Sequence, residues 1–254
     1  MLHMHKLVTI LVFIMLCSSG LFAQNIRPEA HEISRFRPGT MWFFTGLRPA
    51  QAEKVRKYDR LVFDLTYNDW NGDLKPLGND WRSIGLNTNL LFDIPLNKGN
   101  TISLGTGVCH SFFRISCPGR QFTADSTQLY TQMVYHADQN PTTTKRFLGG
   151  QSFGIPVEFR FRSKGWRHIK FHVGGKLGYE FSQYAMTITK TDNGRFIAKD
   201  HGLPDPTRLI YSAHFRIGIR NWAFYGSYNL NKLFSNVASP QLNLIQVGLS
   251  ISLF

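Results

Sequence analysis

From Arg60 onward, apolar and polar residues alternate with a period of two. Leu61, Phe63, Leu65 and Tyr67 alternate with Val62, Asp64, Thr66 and Asn68. The pattern returns in Ile84–Ile94, Ile102–Cys109, Phe153–Arg162, Ile169–Phe181, Leu209–Ile219, Phe224–Asn231 and Ile245–Leu253. A helix would repeat every 3.6 residues, so each of these runs is read as a strand. Most exceed the roughly 5 to 6 residues of a sandwich strand and approach the 9 to 11 that cross a bilayer at a tilt.

The connections between runs alternate in length. Trp70 to Asp80, Cys117 to Arg146 and Thr187 to Pro206 are long, and Ser235 to Pro240 closes the series. Asn97 to Asn100, Ser163 to Trp166 and Arg220 to Trp222 are tight turns. A soluble sandwich has no reason to sort its loops this way, whereas a membrane barrel carries short turns at one end and long loops at the other. The expected fold is therefore all-β: a closed antiparallel transmembrane barrel of about eight strands, with short periplasmic turns and long outer loops. Trp70, Trp81, Trp166 and Trp222 fall at the inferred strand ends, where interfacial aromatic girdles lie.

Composition then restricts the environment. Hydrophobic residues make up 43% of the chain and aromatic residues 14%, including 21 Phe. No later segment is a continuous apolar helix, which excludes a helical membrane protein. The start of the chain reads as an export signal over residues 1–23. His3, His5 and Lys6 precede the run from Leu7 to Leu16, and small residues follow up to Ala23. That run is shorter than the roughly 20 residues of a spanning helix. Residues 24–59 are read as an N-terminal periplasmic segment and 60–254 as the barrel domain. The formal charge of +13 would suit nucleic acid, but an exported chain does not meet it. Outer-membrane lipid and lipopolysaccharide are the expected counterparts, and no protein partner can be named. Cys109 and Cys117, if extended between them, are about 26 Å apart at 3.3 Å per residue, too far for a disulfide.

The last strand runs Gln246-Val247-Gly248-Leu249-Ser250-Ile251-Ser252-Leu253 to a terminal Phe254, one residue out of phase with Ile251 and Leu253. With the export signal and the long alternating strands, residues of about 60–254 resemble the porin-like outer-membrane β-barrel proteins of the Bacteroidota. The resemblance implies residence in the cell outer membrane and a C-terminal strand read by the barrel-assembly machinery.

Candidate chemistry is sparse. The polar face carries Asp64, Glu158, Arg160, Arg162, Lys170, Lys176, Glu180, His214 and Arg216, ions of both signs that must pair if buried. They are expected to form a lumen network, so that side chains fill an eight-strand interior. His110 and Ser111 are adjacent and on a strand point to opposite faces, which argues against a catalytic pair. His136 with Asp138, His168 with His172, and His201 with Asp205 lack a metal-ligand spacing. No catalytic residue, cofactor or metal is assigned. The long loop after Cys117 offers the binding candidates Arg120, Tyr130, Tyr135, Lys145 and Arg146, with the cations suited to phosphates. The expected role is structural or surface interaction. A narrow channel, a lipid A-modifying enzyme and a secretion-apparatus component are the alternatives.

Overall fold

The computed structural model describes residues 60–73, 81–97, 101–136, 144–163, 169–192 and 194–253. These lie in the second of two compact units, Gly46–Phe254. The export signal, the segment 24–59, Trp166, His168 and Phe254 lie outside the described residues.

Eleven strands follow in chain order: β1 (Leu61–Gly72), β2 (Ile84–Pro95), β3 (Ile102–Ser116), β4 (Arg120–Ala124), β5 (Thr131–Tyr135), β6 (Thr144–Arg162), β7 (Ile169–Thr191), β8 (Gly194–Asp200), β9 (Leu209–Ile219), β10 (Trp222–Asn229) and β11 (Leu242–Ser252). Eight of them close a ring, β1-β2-β3-β6-β7-β9-β10-β11 and back to β1, with antiparallel pairing throughout. Closure leaves no edge within the ring itself, and only helices and closed barrels satisfy the backbone where no water is available.

The two faces of the ring differ in kind. Leu65, Phe92, Phe153, Phe159, Leu177, Ile217 and Leu249 point outward, each 50–58% exposed. The register stacks them into ladders, Leu86 beside Leu65 beside Leu249 beside Phe224 beside Ile217. A soluble protein does not leave so continuous an apolar surface to water; hydrocarbon covers it. The alternate residues, Asp64, Asn68, Asn89, Glu158, Arg160, His172 and Arg216 among them, are buried inside. The fold is a transmembrane β-barrel of eight strands, the architecture of the outer membrane.

Three expectations need correction. The stretch Cys117–Arg146 is not all loop: β4 and β5 form a hairpin within it and β6 begins at Thr144. The hairpin tip is shaped by Asp125 and by Gln128 at φ 55°, with Gln128 N–H donating to the Asp125 carbonyl at 2.9 Å. The stretch from Thr187 is likewise the end of β7, which continues to Thr191 and turns back as β8. The cause is a bulge. Gln151 pairs with Ser182 and Ser152 with Glu180, so Phe181 is an extra residue and the parity of β7 flips there. Alternation counted through Phe181 breaks although the strand does not. Finally, Trp70 is no girdle residue. It has the inward parity of β1, is 1% exposed, and packs edge-on against Phe122 at 5.8 Å. Trp81 and Trp222 are exposed.

Candidate functional site

Inside the turn-side half of the barrel, side chains of β1, β2, β3, β6, β7 and β9 meet in one ion network. Arg216 on β9 donates from Nε to Asp64 Oδ1 at 3.0 Å and from Nη2 to Asp64 Oδ2 at 2.8 Å. Its Nη1 donates to Glu158 on β6, whose Oε1 also meets His214 Nε2 at 3.0 Å. Arg160 Nε donates to Glu158 Oε2 at 3.0 Å, and Arg160 Nη1 to Asp93 on β2. Arg162 Nη2 completes Asp93 at 2.6 Å, and its Nη1 donates to Ser103 Oγ at 3.2 Å. Asn89 Nδ2 donates to Asp64 at 2.9 Å, and His172 Nδ1 lies 3.8 Å from Glu158. Lys170 Nζ donates to Ser252 Oγ at 2.7 Å.

The energetics follow from burial. Asp64 and Glu158 are 0% exposed, so each has lost its water and depends on the guanidinium groups to offset that cost. Arginine suits the position because one planar fork can serve two carboxylates at once. Arg216 does so for Asp64 and Glu158, and Arg160 for Glu158 and Asp93. Sequence parity does not single out Asp93, Ser103, Asn89 or Ser252. Each stands on the polar side of its strand, but only the register brings it within reach.

Above this layer, Lys176 Nζ donates to Ser111 Oγ at 2.8 Å, and Cys109 Sγ lies 3.3 Å from the same hydroxyl. Glu180 is buried near this level but outside the ion network; its Oε1, like both amide atoms of Asn87 and Gln183, has no hydrogen-bond partner among the described residues. His110 points the other way, its ring 5.0 Å from that of Phe153 on the outer face. Ser111 and His110 are thus on opposite sides of the wall. Among the described residues, no group of three or more His, Cys, Asp or Glu could hold a metal ion.

The loop end of the lumen is closed by an apolar cluster. Trp70, Phe113, Ile115, Leu148 and Leu244 from the wall meet Phe122 of the hairpin and Leu203, Leu233 and Phe234 of the loops. Asp205 fastens these segments together. Its Oδ1 accepts from Thr131 N at 2.9 Å and Thr131 Oγ1 at 2.5 Å, and its Oδ2 from Ser239 Oγ at 2.5 Å and Asn236 N at 3.2 Å. One carboxylate thereby ties β5 to both later outer loops. Cys117 is buried in the same cluster, its Sγ 3.5 Å from the Ile115 carbonyl, and neither Cys109 nor Cys117 is in a disulfide.

Of the outer-loop candidates, Arg120 and Tyr135 face each other across the hairpin. Tyr130 closes its tip, its carbonyl accepting from Asp125 N at 2.9 Å. The Asp125 carboxyl in that tip is held below its usual range by hydrogen bonds from Thr127. Lys145 and Arg146 lie in β6. Arg146 is turned inward and 4% exposed, with Nε donating to Gln121 at 3.4 Å, whereas Lys145 is on the outer face.

A closed eight-strand ring with an apolar exterior, a charged interior and long loops at one end defines an integral outer-membrane β-barrel protein. No protein-family model matches the chain, and no curated protein is similar to it in sequence. Among solved structures it is similar to Ail, the attachment invasion locus protein of Yersinia pestis, in complex with the heparin analogue sucrose octasulfate. That likeness has 12% identity and a TM-score of 0.34, over 75% of this chain and 95% of that one. A second structure of Ail gives 13% identity and a TM-score of 0.32 over the same shares.

Proposed function

We infer that the protein is a non-conducting, non-catalytic outer-membrane barrel that acts through its outer surface. The observation that carries this is the bridge from Asp64 through Arg216 and Glu158 to Arg160 and Asp93. It joins β1, β9, β6 and β2 across the interior, and the apolar cluster lies over the opposite end of the lumen. Hydrated ions would have to break buried charge pairs at one end and part a packed apolar layer at the other. The sequence pattern resembles that of the porin-like barrels of the Bacteroidota, which supports this reading. Its counterparts on this reading are outer-membrane lipid, lipopolysaccharide and the barrel-assembly machinery.

Two measurements on the full chain test the reading. On a gel the unboiled protein from the outer-membrane fraction runs at a different apparent mass from the boiled one, because a closed barrel resists detergent until heated. In a planar bilayer the refolded protein gives no conductance steps. Regular single-channel steps would replace this reading with a narrow channel, and a mass change in lipid A upon expression would replace it with an enzyme.

A further inference from the structure

The outward face continues beyond the lipid-facing band, and there it changes character. Where β3, β6, β7 and β8 run side by side, the register sets out four rows. They are Arg114, Gly149 and Tyr184; Ser116, Phe147, Met186 and Lys199; Lys145, Ile188 and Ile197; Lys190 and Arg195. Cross-strand partners share a face. Because the bulge adds its residue to β7 only, β6 keeps its parity, and this is the face on which Phe153 and Ile155 meet lipid below. The alternate residues Leu148 and Ala185 belong to the cluster inside the barrel mouth.

Phe147, Tyr184, Met186 and Ile188 form a buried apolar floor, each 4–7% exposed, and cations lie over it. The Arg114 guanidinium is 4.9 Å from the centre of the Phe147 ring, and Lys199 Nζ is 5.2 Å from that of Tyr184. Tyr184 lies so close over Gly149 that a Cβ there would meet its Cζ and Oη at 2.8 Å; only glycine lets the ring lie flat. Arg114 Nε is buried and has no hydrogen-bond partner among the described residues. The four rows contain five cations and no carboxylate. Asp200 falls on the alternate face, accepting from Gly202 N at 2.8 Å, and Asp192 is in the turn at the hairpin tip. Directly below, His110, Phe153 and Phe181 make a stacked aromatic stripe, with Phe153 and Phe181 5.2 Å apart.

We propose that this face binds the phosphorylated headgroup of an outer-leaflet glycolipid, with Arg114, Lys145 and Lys199 on its phosphate oxygens and its acyl chains along the His110–Phe153–Phe181 stripe. Cations alone would suit any polyanion. Cations set at the upper end of an apolar wall suit an amphiphile, whose charge and hydrocarbon are met at the two heights where it carries them. The proposal rests on the outer-membrane reading above and deepens it.

The test uses the full chain folded in uncharged detergent, with bisphosphorylated lipid A as the probe and native mass spectrometry as the readout. Lipid A binds, and the same lipid stripped of phosphate binds about tenfold more weakly, as does lipid A to R114Q/K145Q/K199Q. The control K232Q, a change at an exposed lysine outside the four rows, binds as the parent does. Should the triple variant fail to fold, K199Q alone, a change at an exposed position, weakens binding about threefold. A heat-modifiable triple variant that binds as tightly as the parent overturns the site, and so does equal binding of the phosphate-free lipid. Full displacement of lipid A by equimolar inositol hexakisphosphate overturns the lipid in favour of a soluble polyanion. Loss of heat-modifiability in the parent itself is a different result, and removes the barrel reading together with the site.

Discussion

Arg216 and Asp64 are 152 residues apart in sequence and joined by two hydrogen bonds inside the lumen, at 3.0 and 2.8 Å. The pair lies between β9 and β1, which share no ladder, so it forms only when the ring has closed. Arg216→Met would leave two buried carboxylates, those of Asp64 and Glu158, short of their shared cation. Breaking a buried pair from one side costs about 3–5 kcal/mol. The urea midpoint of the fast-migrating folded band is therefore expected to fall sharply. A midpoint equal to the parent's would mean that the network does not hold the barrel together.

Gly105 shows how the interior makes room for these charges. It stands in one row between Asp93 on β2 and Glu158 on β6, the two carboxylates that Arg160 bridges. A Cβ at this position would meet Arg160 Nε at 2.4 Å and Cζ at 2.7 Å. Gly105→Val is expected to displace the guanidinium and to destabilise the fold by about 1–3 kcal/mol, the usual cost of overpacking. Thr106→Val, one residue along and facing out, serves as the control. Equal refolding yields and midpoints for the two variants would contradict the account.

Period-two alternation makes the barrel legible in sequence because a strand sends successive side chains to opposite faces. Lipid and lumen then select opposite chemistry. The same parity brings Asp64, Glu158 and Arg216 to one face, but it does not tell which carboxylate meets which guanidinium. That depends on shear and register, which are properties of the closed ring. Phe181 marks the other limit. A single bulged residue inverts the parity of β7, so the alternation read from Ile169 stops at Phe181 and Ile188, on the same outward face as Tyr184 and Met186, reads as loop. Asp205 was hidden for a third reason. Its partners Thr131, Asn236 and Ser239 are brought to it by loop packing, for which no periodic signal exists.

Asp205 invites a local test. It accepts hydrogen bonds from Thr131, Asn236 and Ser239 while 8% exposed. Asp205→Ala removes the carboxylate from the tie between the β4–β5 hairpin and the later loops, leaving Thr131 N to Ser239 Oγ at 2.9 Å and Asn236 Nδ2 to the Leu129 carbonyl at 3.2 Å. Hydrogen bonds to a charged acceptor contribute about 1.5–3 kcal/mol each, so exchange of the Thr131 amide is expected to quicken by roughly ten- to a hundredfold. The ring should keep its heat-modifiability, since Asp205 touches no ion of the lumen network. Unchanged exchange at Thr131 would show that Ser239, Asn236 and the apolar contacts of Phe122 fix the hairpin without the carboxylate.

The two cysteines test closure at the middle and at the mouth of the lumen. Cys109 faces the interior beside Ser111, and Cys117 sits in the apolar cluster at the mouth. They are 2% and 1% exposed respectively. In a Cys17→Ser chain, which removes the one other thiol, a maleimide reagent is expected to label neither until the sample is boiled. After boiling, both label without any reductant, because neither is in a disulfide. Labelling of Cys117 alone before boiling would mean that the outer cluster opens on the timescale of the reaction. Labelling of Cys109 as well would mean that solvent reaches the middle of the barrel, and the side-chain-filled lumen would then give way to a channel.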